Sequence, residues 1–344
     1  MTTPRPAAGP PTATPPTTGT ADIPPPTATT AAATAGRGRR GLAAAVPPGY
    51  PASRVGRWSA WAFLAPVTGY LVVCYAYPLY RNLELSLREY TVRSFVQGGA
   101  PFAGLDNYRT VLADPTFGPA LTHTLIFTGA SLALQFAIGM ALALFFHGHF
   151  PLSRTLRAVI LVPWLLPLIV SASTWSWLLN SDAGLVNAAL GLVGIDPVNW
   201  LTSPRWSLVS VIIANVWIGI PFNLVVLHSG LQAIPAEVYE ASALDGATGW
   251  QRFWSITFPL LRPVSAITLL LGLIYTLKVF DLIWIMTRGG PTDSSTTLAT
   301  WSYRLGFGNL LPEFGPGAAV GNLLIVLALL AGFGYLRLQR RQQS

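Results

Sequence analysis

Charged side chains are scarce in this chain. Aspartate, glutamate, lysine and arginine make up 10% of its 344 residues, while 52% are hydrophobic. Soluble domains carry about 25% charged residues, so this chain cannot cover a globule with charge, and lipid must be its solvent. Cysteine is nearly missing: the single Cys74 excludes a disulfide framework or a thiolate metal site within one chain. Lysine is as rare. Lys278 stands alone, and Leu277 before it denies the chain a G-x-x-x-x-G-K-[ST] phosphate loop. The four histidines, His123, His147, His149 and His228, are scattered and form no H-E-x-x-H; His147 and His149, two residues apart, have poor helical metal spacing. There is no serine-centred nucleophile elbow. These gaps leave an enzyme nothing to work with, so no catalytic residue, metal ligand or bound cofactor is expected. The net charge of +8 is no sign of nucleic acid either, because the arginines flank apolar runs, as topology signals on membrane loops do.

What the chain does have is apolar runs long enough to cross hydrocarbon, about 20 residues as helix. Six occur, near 61–80, 120–146, 158–179, 208–231, 264–286 and 318–336. Strand alternation is absent, and open backbone cannot face lipid. The expected fold is an all-α polytopic membrane protein of six transmembrane helices. Residues 1–57 are rich in Pro, Thr and Ala and nearly devoid of large apolar side chains, which predicts a disordered tail. No apolar core follows a basic start there, so the segment does not read as a signal peptide. Its Gly36-Arg37-Gly38-Arg39-Arg40-Gly41 is formally G-x-G-x-x-G, yet no strand precedes it and no helical pattern follows. Residues 58–344 then form the membrane domain. A cytoplasmic N-terminus places 13 arginines inside against 7 outside, which the positive-inside rule favours. Six spans bring the C-terminus, and the polar connection between spans four and five, to the same side.

That connection, residues 235–259, is the most informative stretch. Pro235 suits the first position of a helix, and Glu237 in the first turn favours the helix dipole. Tyr239, Ala243 and Gly246 share one face; Glu240 and Leu244 share another. So short a helix is unstable alone in water and needs a partner surface. Gly246 and Gly249 are expected to break it. Trp250, Phe253, Trp254 and Ile256 then form an apolar stripe suited to the membrane boundary, and Pro259 and Pro263 open the next span. On these features alone the stretch is either an amphipathic interfacial linker or a docking element.

The run Glu240-Ala241-Ser242, then Gly246, Ile256 and Phe258-Pro259, resembles the EAA loop of permease subunits of binding-protein-dependent ABC importers. Ser242 and Phe258 replace the Ala and Leu more usual in that family. Pro78-Leu79-Tyr80, Gly104-Leu105-Asp106-Asn107-Tyr108, Pro163-Trp164-Leu165-Leu166-Pro167, Lys278-Val279-Phe280-Asp281 and Gly289-Gly290-Pro291 look like its carbohydrate branch, the MalF-like and UgpA-like permeases. The chain is similar to the shorter six-span members. The resemblance implies a coupling helix docking into a separate ATPase, with Glu237, Tyr239, Glu240, Ala241, Asp245, Gly246, Ile256 and Pro259 as its residues. It further implies a second, similar permease, two ATPase subunits that bind the ATP, an extracytoplasmic solute-binding protein and a sugar as substrate. A permease for another solute such as glycerol 3-phosphate remains an alternative, and so does an ion-coupled carrier.

Ionisable residues at membrane depth are costly and face a cavity or a partner. Lys278 and Asp281, three apart in span five, are expected on one helix face, either as a self-satisfying salt bridge or as part of a polar path. Asn215, Asn223 and Asn322 add polar groups to spans four and six. Trp217, Tyr275 and Trp284 offer rings on which a sugar could stack. Pro163 and Pro167 predict a bend in span three. Gly317-Ala318-Ala319-Val320-Gly321 is a small-xxx-small face for close helix contact, within the chain or with a second permease.

Overall fold

The computed structural model describes residues 54–148 and 150–343. Most of the segment expected to be disordered therefore lies outside the described residues. The first helix starts at Arg54, within residues 1–57 of that segment. The chain divides into two units, residues 1–63 and 64–344; of the first, residues 54–63 are described, and they are helical. Among the described residues the regular structure is helical, apart from isolated bridges between Arg88 and Phe102 and between Thr91 and Glu313. In chain order the helices are α1 Arg54–Leu71, α2 Tyr77–Ser86, α3 Val92–Gln97, α4 Asp106–Ala113, α5 Phe117–His147, α6 Ser153–Leu165, α7 Leu168–Leu178, α8 Leu185–Leu192 and α9 Ser207–Gln232. There follow α10 Ala236–Leu244, α11 Gly249–Arg252, α12 Phe258–Leu277, α13 Asp281–Met286, α14 Leu298–Tyr303 and α15 Phe314–Gln343.

Among the described residues, five stretches are long and apolar enough to cross a membrane: Trp61–Ser86, Phe117–His147, Ser207–Gln232, Gly249–Leu277 and Phe314–Arg337. The sixth is a broken pair, α6 and α7, meeting at 99°. The bend expected in span three is there, and its cause is local. Proline disfavours helical backbone in the residue before it, and Leu166, before Pro167, is extended at ψ 141°. Two other prolines are accommodated rather than breaking their helices. The π turns Val72–Ala76 and Phe253–Thr257 end two residues before Pro78 and Pro259. Proline lacks a donor and crowds the carbonyl four residues back, and the wider π turn takes up that mismatch.

Span five departs from expectation at both ends. The segment from Gly249 to Leu277 is helical throughout, so the aromatic stripe of Trp250, Phe253 and Trp254 belongs to the foot of the span. Gly249 starts this helix instead of breaking one. Thr248 caps it: its hydroxyl accepts from the Gln251 N–H, and its own N–H donates to Gln251 Oε1 at 2.8 Å. At the other end α12 stops at Leu277, and Asp281 opens the separate α13. Lys278 caps α12 in a turn and Asp281 opens α13, so the two share no helix face. Among the described residues no ion pair joins them.

The core is built on the crossing of α5 and α9. A Cβ on Gly139 would lie 2.4 Å from Asn223 Cβ, and one on Gly219 would lie 2.3 Å from Gln135 Cδ. Two glycines, one on each helix, thus let the backbones approach over polar side chains, the packing mode of helices in lipid. Apolar clusters flank this crossing at both ends, around Phe127, Val211 and Leu282 and around Phe146, Leu227 and Leu261. The small-residue face of α15 is used inside the chain. A Cβ on Gly317 would lie 3.0 Å from the Ser302 carbonyl oxygen, and the Ser302 hydroxyl donates to the Gly317 carbonyl at 2.8 Å. Span one stays exposed from 64 through 80.

Candidate functional site

α10 is a helix of nine residues between spans four and five. Pro235 sits at its N-cap, one position earlier than expected, and Glu237 lies in the first turn. Its end is a Schellman turn: Gly246 N–H donates to the Ala243 carbonyl at 3.1 Å and Ala247 N–H to the Ser242 carbonyl at 3.0 Å. That closure needs left-handed backbone, and Gly246 has φ +75°. Glu237, Glu240, Ala241, Leu244 and Asp245 are exposed, whereas Ser242 is buried and Tyr239 half-buried. The Tyr239 hydroxyl reaches Thr257 Oγ1 at 3.2 Å. This bond ties α10 to the base of span five, where Ile256 and Pro259 lie. The two halves of the 235–259 stretch are thereby one unit: an exposed acidic helix and the foot of the span behind it.

A second site lies between the spans. A cavity of about 560 Å³ is lined by Gln135, Trp164, Asn215, Phe222, Tyr275, Lys278 and Asp281, among others. Its rings are close: Trp164 and Phe222 have centroids 6.1 Å apart, Phe222 and Tyr275 6.5 Å. Lys278 Nζ lies 5.0 Å from the Tyr275 centroid, a cation–π contact. Gln135 donates to the Asn215 carbonyl at 2.9 Å, and the buried Asn215 Nδ2 has no partner.

Of the expected pore residues, the structure brings Asn215, Tyr275, Lys278 and Asp281 to this cavity and leaves four elsewhere. Asn223 is buried in the α5–α9 crossing, donating to the Gly219 carbonyl. Asn322 is satisfied by neighbours: its amide nitrogen donates to Ser86 Oγ and Tyr108 OH at 3.0 Å each, and its oxygen accepts from Asn82. Trp284 packs among Phe280 and Tyr303. Trp217 meets Trp175 edge-on and lines another hollow. Gln135, Trp164 and Phe222 are among the wall residues that escaped the sequence reading. Gln135 was detectable as a lone amide in an apolar span; Trp164 and Phe222 look like any lipid-facing ring.

Beyond span five, residues 287–297 form a compact turn. Asp293 pairs with Arg304 and accepts from the Thr296 hydroxyl at 2.9 Å. His123 Nδ1 lies 3.2 Å from the Thr296 carbonyl. Burial opposes ionisation of Asp293, but the hydrogen bonds from Arg304 and Thr296 and the charges of Arg304 and His123 outweigh it. Its carboxyl is held below the ordinary value.

Long apolar helices, a broken span, a partly polar cavity between them and a short acidic helix outside define a multi-pass membrane transport component. Residues 135–344 match the family of binding-protein-dependent transport system inner membrane components, and the chain belongs to it. It is 39% identical over 243 residues to the trehalose/maltose transport system permease protein MalF of Thermococcus litoralis, covering 70% of this chain and 80% of that one. It is 30% identical over 294 residues to the sulfoquinovosyl glycerol transport system permease protein SmoG of Agrobacterium fabrum, covering 83% and 94%. Among solved structures it matches a chain of a bacterial ABC transporter that imports the acidic polysaccharide alginate, with a TM-score of 0.72, 26% identity, and coverage of 83% of this chain and 96% of that one.

Proposed function

We propose that this chain supplies half of the translocation path of an ATP-driven sugar importer. A second, homologous permease completes the path, two ATPase subunits bind the ATP, and an extracytoplasmic binding protein delivers a disaccharide or short oligosaccharide. α10 is the coupling helix. Glu240 and Asp245 form charge-assisted bonds to the ATPase, Gly246 allows the turn, and the Tyr239–Thr257 bond passes the motion to span five. Both termini are cytoplasmic, on the side of α10.

The observation that carries the solute class is the wall of the 560 Å³ cavity. Rings beside amides suit a sugar, which has apolar faces and a polar rim. Sugar-named relatives and the alginate importer support the same class. Lys278 faces the same cavity as Asp281, so the wall has no surplus cation for a phosphate ester, which counts against glycerol 3-phosphate. The test is ATP-dependent uptake of labelled maltose or trehalose by cells carrying this chain with its second permease, ATPase and binding protein. Uptake that unlabelled disaccharide displaces, and glycerol 3-phosphate does not, is the expected result. Displacement by glycerol 3-phosphate alone would overturn the sugar assignment.

A further inference from the structure

Another cavity lies away from the one between the spans. About 700 Å³ in size, it opens where α5 ends, α6 begins and α9 ends, and its polar wall is His147, Ser153, Arg157, His228 and Gln232. None of the residues lining it is a carboxylate. Arg157 is half-buried, and among the described residues no acidic side chain pairs with it. Its Nη1 donates to His228 Nε2 at 2.8 Å and its Nε to the Ser153 carbonyl at 3.4 Å. His228 is buried and also meets Gln232 Nε2 at 3.3 Å. These bonds fix the guanidinium plane, and among the described residues its Nη2 donors meet no partner. A guanidinium held in this way presents a planar fork to an oxyanion.

A second feature points the same way. Arg157 and His228 also line a mostly apolar hollow of about 360 Å³, walled by Ala158, Leu161, Leu224 and Val225 together with Arg154 and Ser229. A cationic cavity beside an apolar one, at the ends of three membrane helices, matches a phosphate group joined to an acyl chain.

We infer that the cavity around Arg157 binds a phosphate group, supplied by the headgroup of an anionic lipid. His147, in the same wall, has its ring centroid 6.2 Å from that of Tyr239 on α10, so an occupant sits against the proposed coupling helix. Only this last consequence rests on the proposed function. Binding itself depends on the cavity and survives if the transported solute proves not to be a sugar.

The experiment is thermal unfolding of the purified full chain in neutral detergent, titrated with phosphatidylglycerol, with diacylglycerol, which lacks the phosphate, or with inorganic phosphate. The wild-type chain is expected to gain stability from phosphatidylglycerol and not from diacylglycerol. Arg157→Gln should weaken the apparent affinity about tenfold or more, the loss of a charge-assisted pair of bonds. His147→Gln should weaken it less, and Arg93→Gln, at a distant exposed arginine, not at all. A gain from inorganic phosphate alone that Arg157→Gln removes supports the anion site and assigns it to free phosphate. If Arg157→Gln does not fold, His147→Gln decides. Equal responses in wild type and the foldable cavity variants, or no response to any phosphate, overturn the inference.

Discussion

Two glycines do different work. Gly139 is required by space, because a methyl there would meet Asn223 at 2.4 Å in the tightest helix crossing. Gly129, on the same helix, has nothing within 4 Å of its missing Cβ. Gly139→Ala should therefore destabilise the chain by about 1–3 kcal/mol, as overpacking does. Gly129→Ala should be neutral or slightly stabilising, since alanine is the better helix former. Thermal unfolding in detergent separates the two; equal melting temperatures would contradict the crossing. Gly246 is required by backbone angle instead, with open space around it and φ +75°. A β-branched residue there costs about 1–2 kcal/mol locally, too little to block insertion but enough to reshape the end of α10. Gly246→Val should abolish ATP-driven uptake while the chain still reaches the membrane at normal levels. Uptake at the wild-type rate would remove Gly246 from coupling.

The turn at 287–297 is held by a set of hydroxyl and backbone bonds, and one carboxylate adds a titratable tie to it. Asp293 has a folded pKa below its ordinary 3.8, so its ionised form is favoured by folding. Its contribution is complete above that ordinary value and is lost as the pH falls through the lower folded value. Because Asp293 is more than a third exposed, solvent screening keeps the effect modest. Protease protection of this turn should hold from neutral pH to about 4 and decline below, and Asp293→Asn should abolish that decline. A turn equally protected at all these pH values would show that the pair with Arg304 does not order it. Helices themselves were legible in the sequence wherever a long apolar run is bounded by polar residues, as in α5 and α9. The bend in span three was legible too, because proline acts on its immediate neighbour. The stop at Lys278 was not: no glycine or proline marks it, and a hydropathy window runs straight through Val279 and Phe280. That one break separated Lys278 from Asp281 and removed their expected shared face. Likewise Asn322 looked like a pore residue because sequence shows a polar group and conceals the partners, here Asn82, Ser86 and Tyr108, that satisfy it.

For the whole molecule, the cavity between the spans and the exposed helix α10 are joined through span five. α12 contributes Tyr275 to the cavity, and the start of the same span, at Thr257, bonds to Tyr239 of α10. A displacement of α10 thus has a covalent and hydrogen-bonded route to the cavity wall. The family was legible because the docking stretch must keep its polar residues in an otherwise apolar chain. The cavity wall was only half legible, because which ring faces a cavity and which faces lipid depends on the helix crossing. The most direct test of the account asks what grips α10. In a Cys74→Ser background, Glu240→Cys should cross-link to the ATPase subunit in inside-out membrane vesicles and resist a membrane-impermeant maleimide added to intact cells. Labelling of that cysteine from the outside, or no ATPase cross-link in vesicles active for uptake, would contradict it.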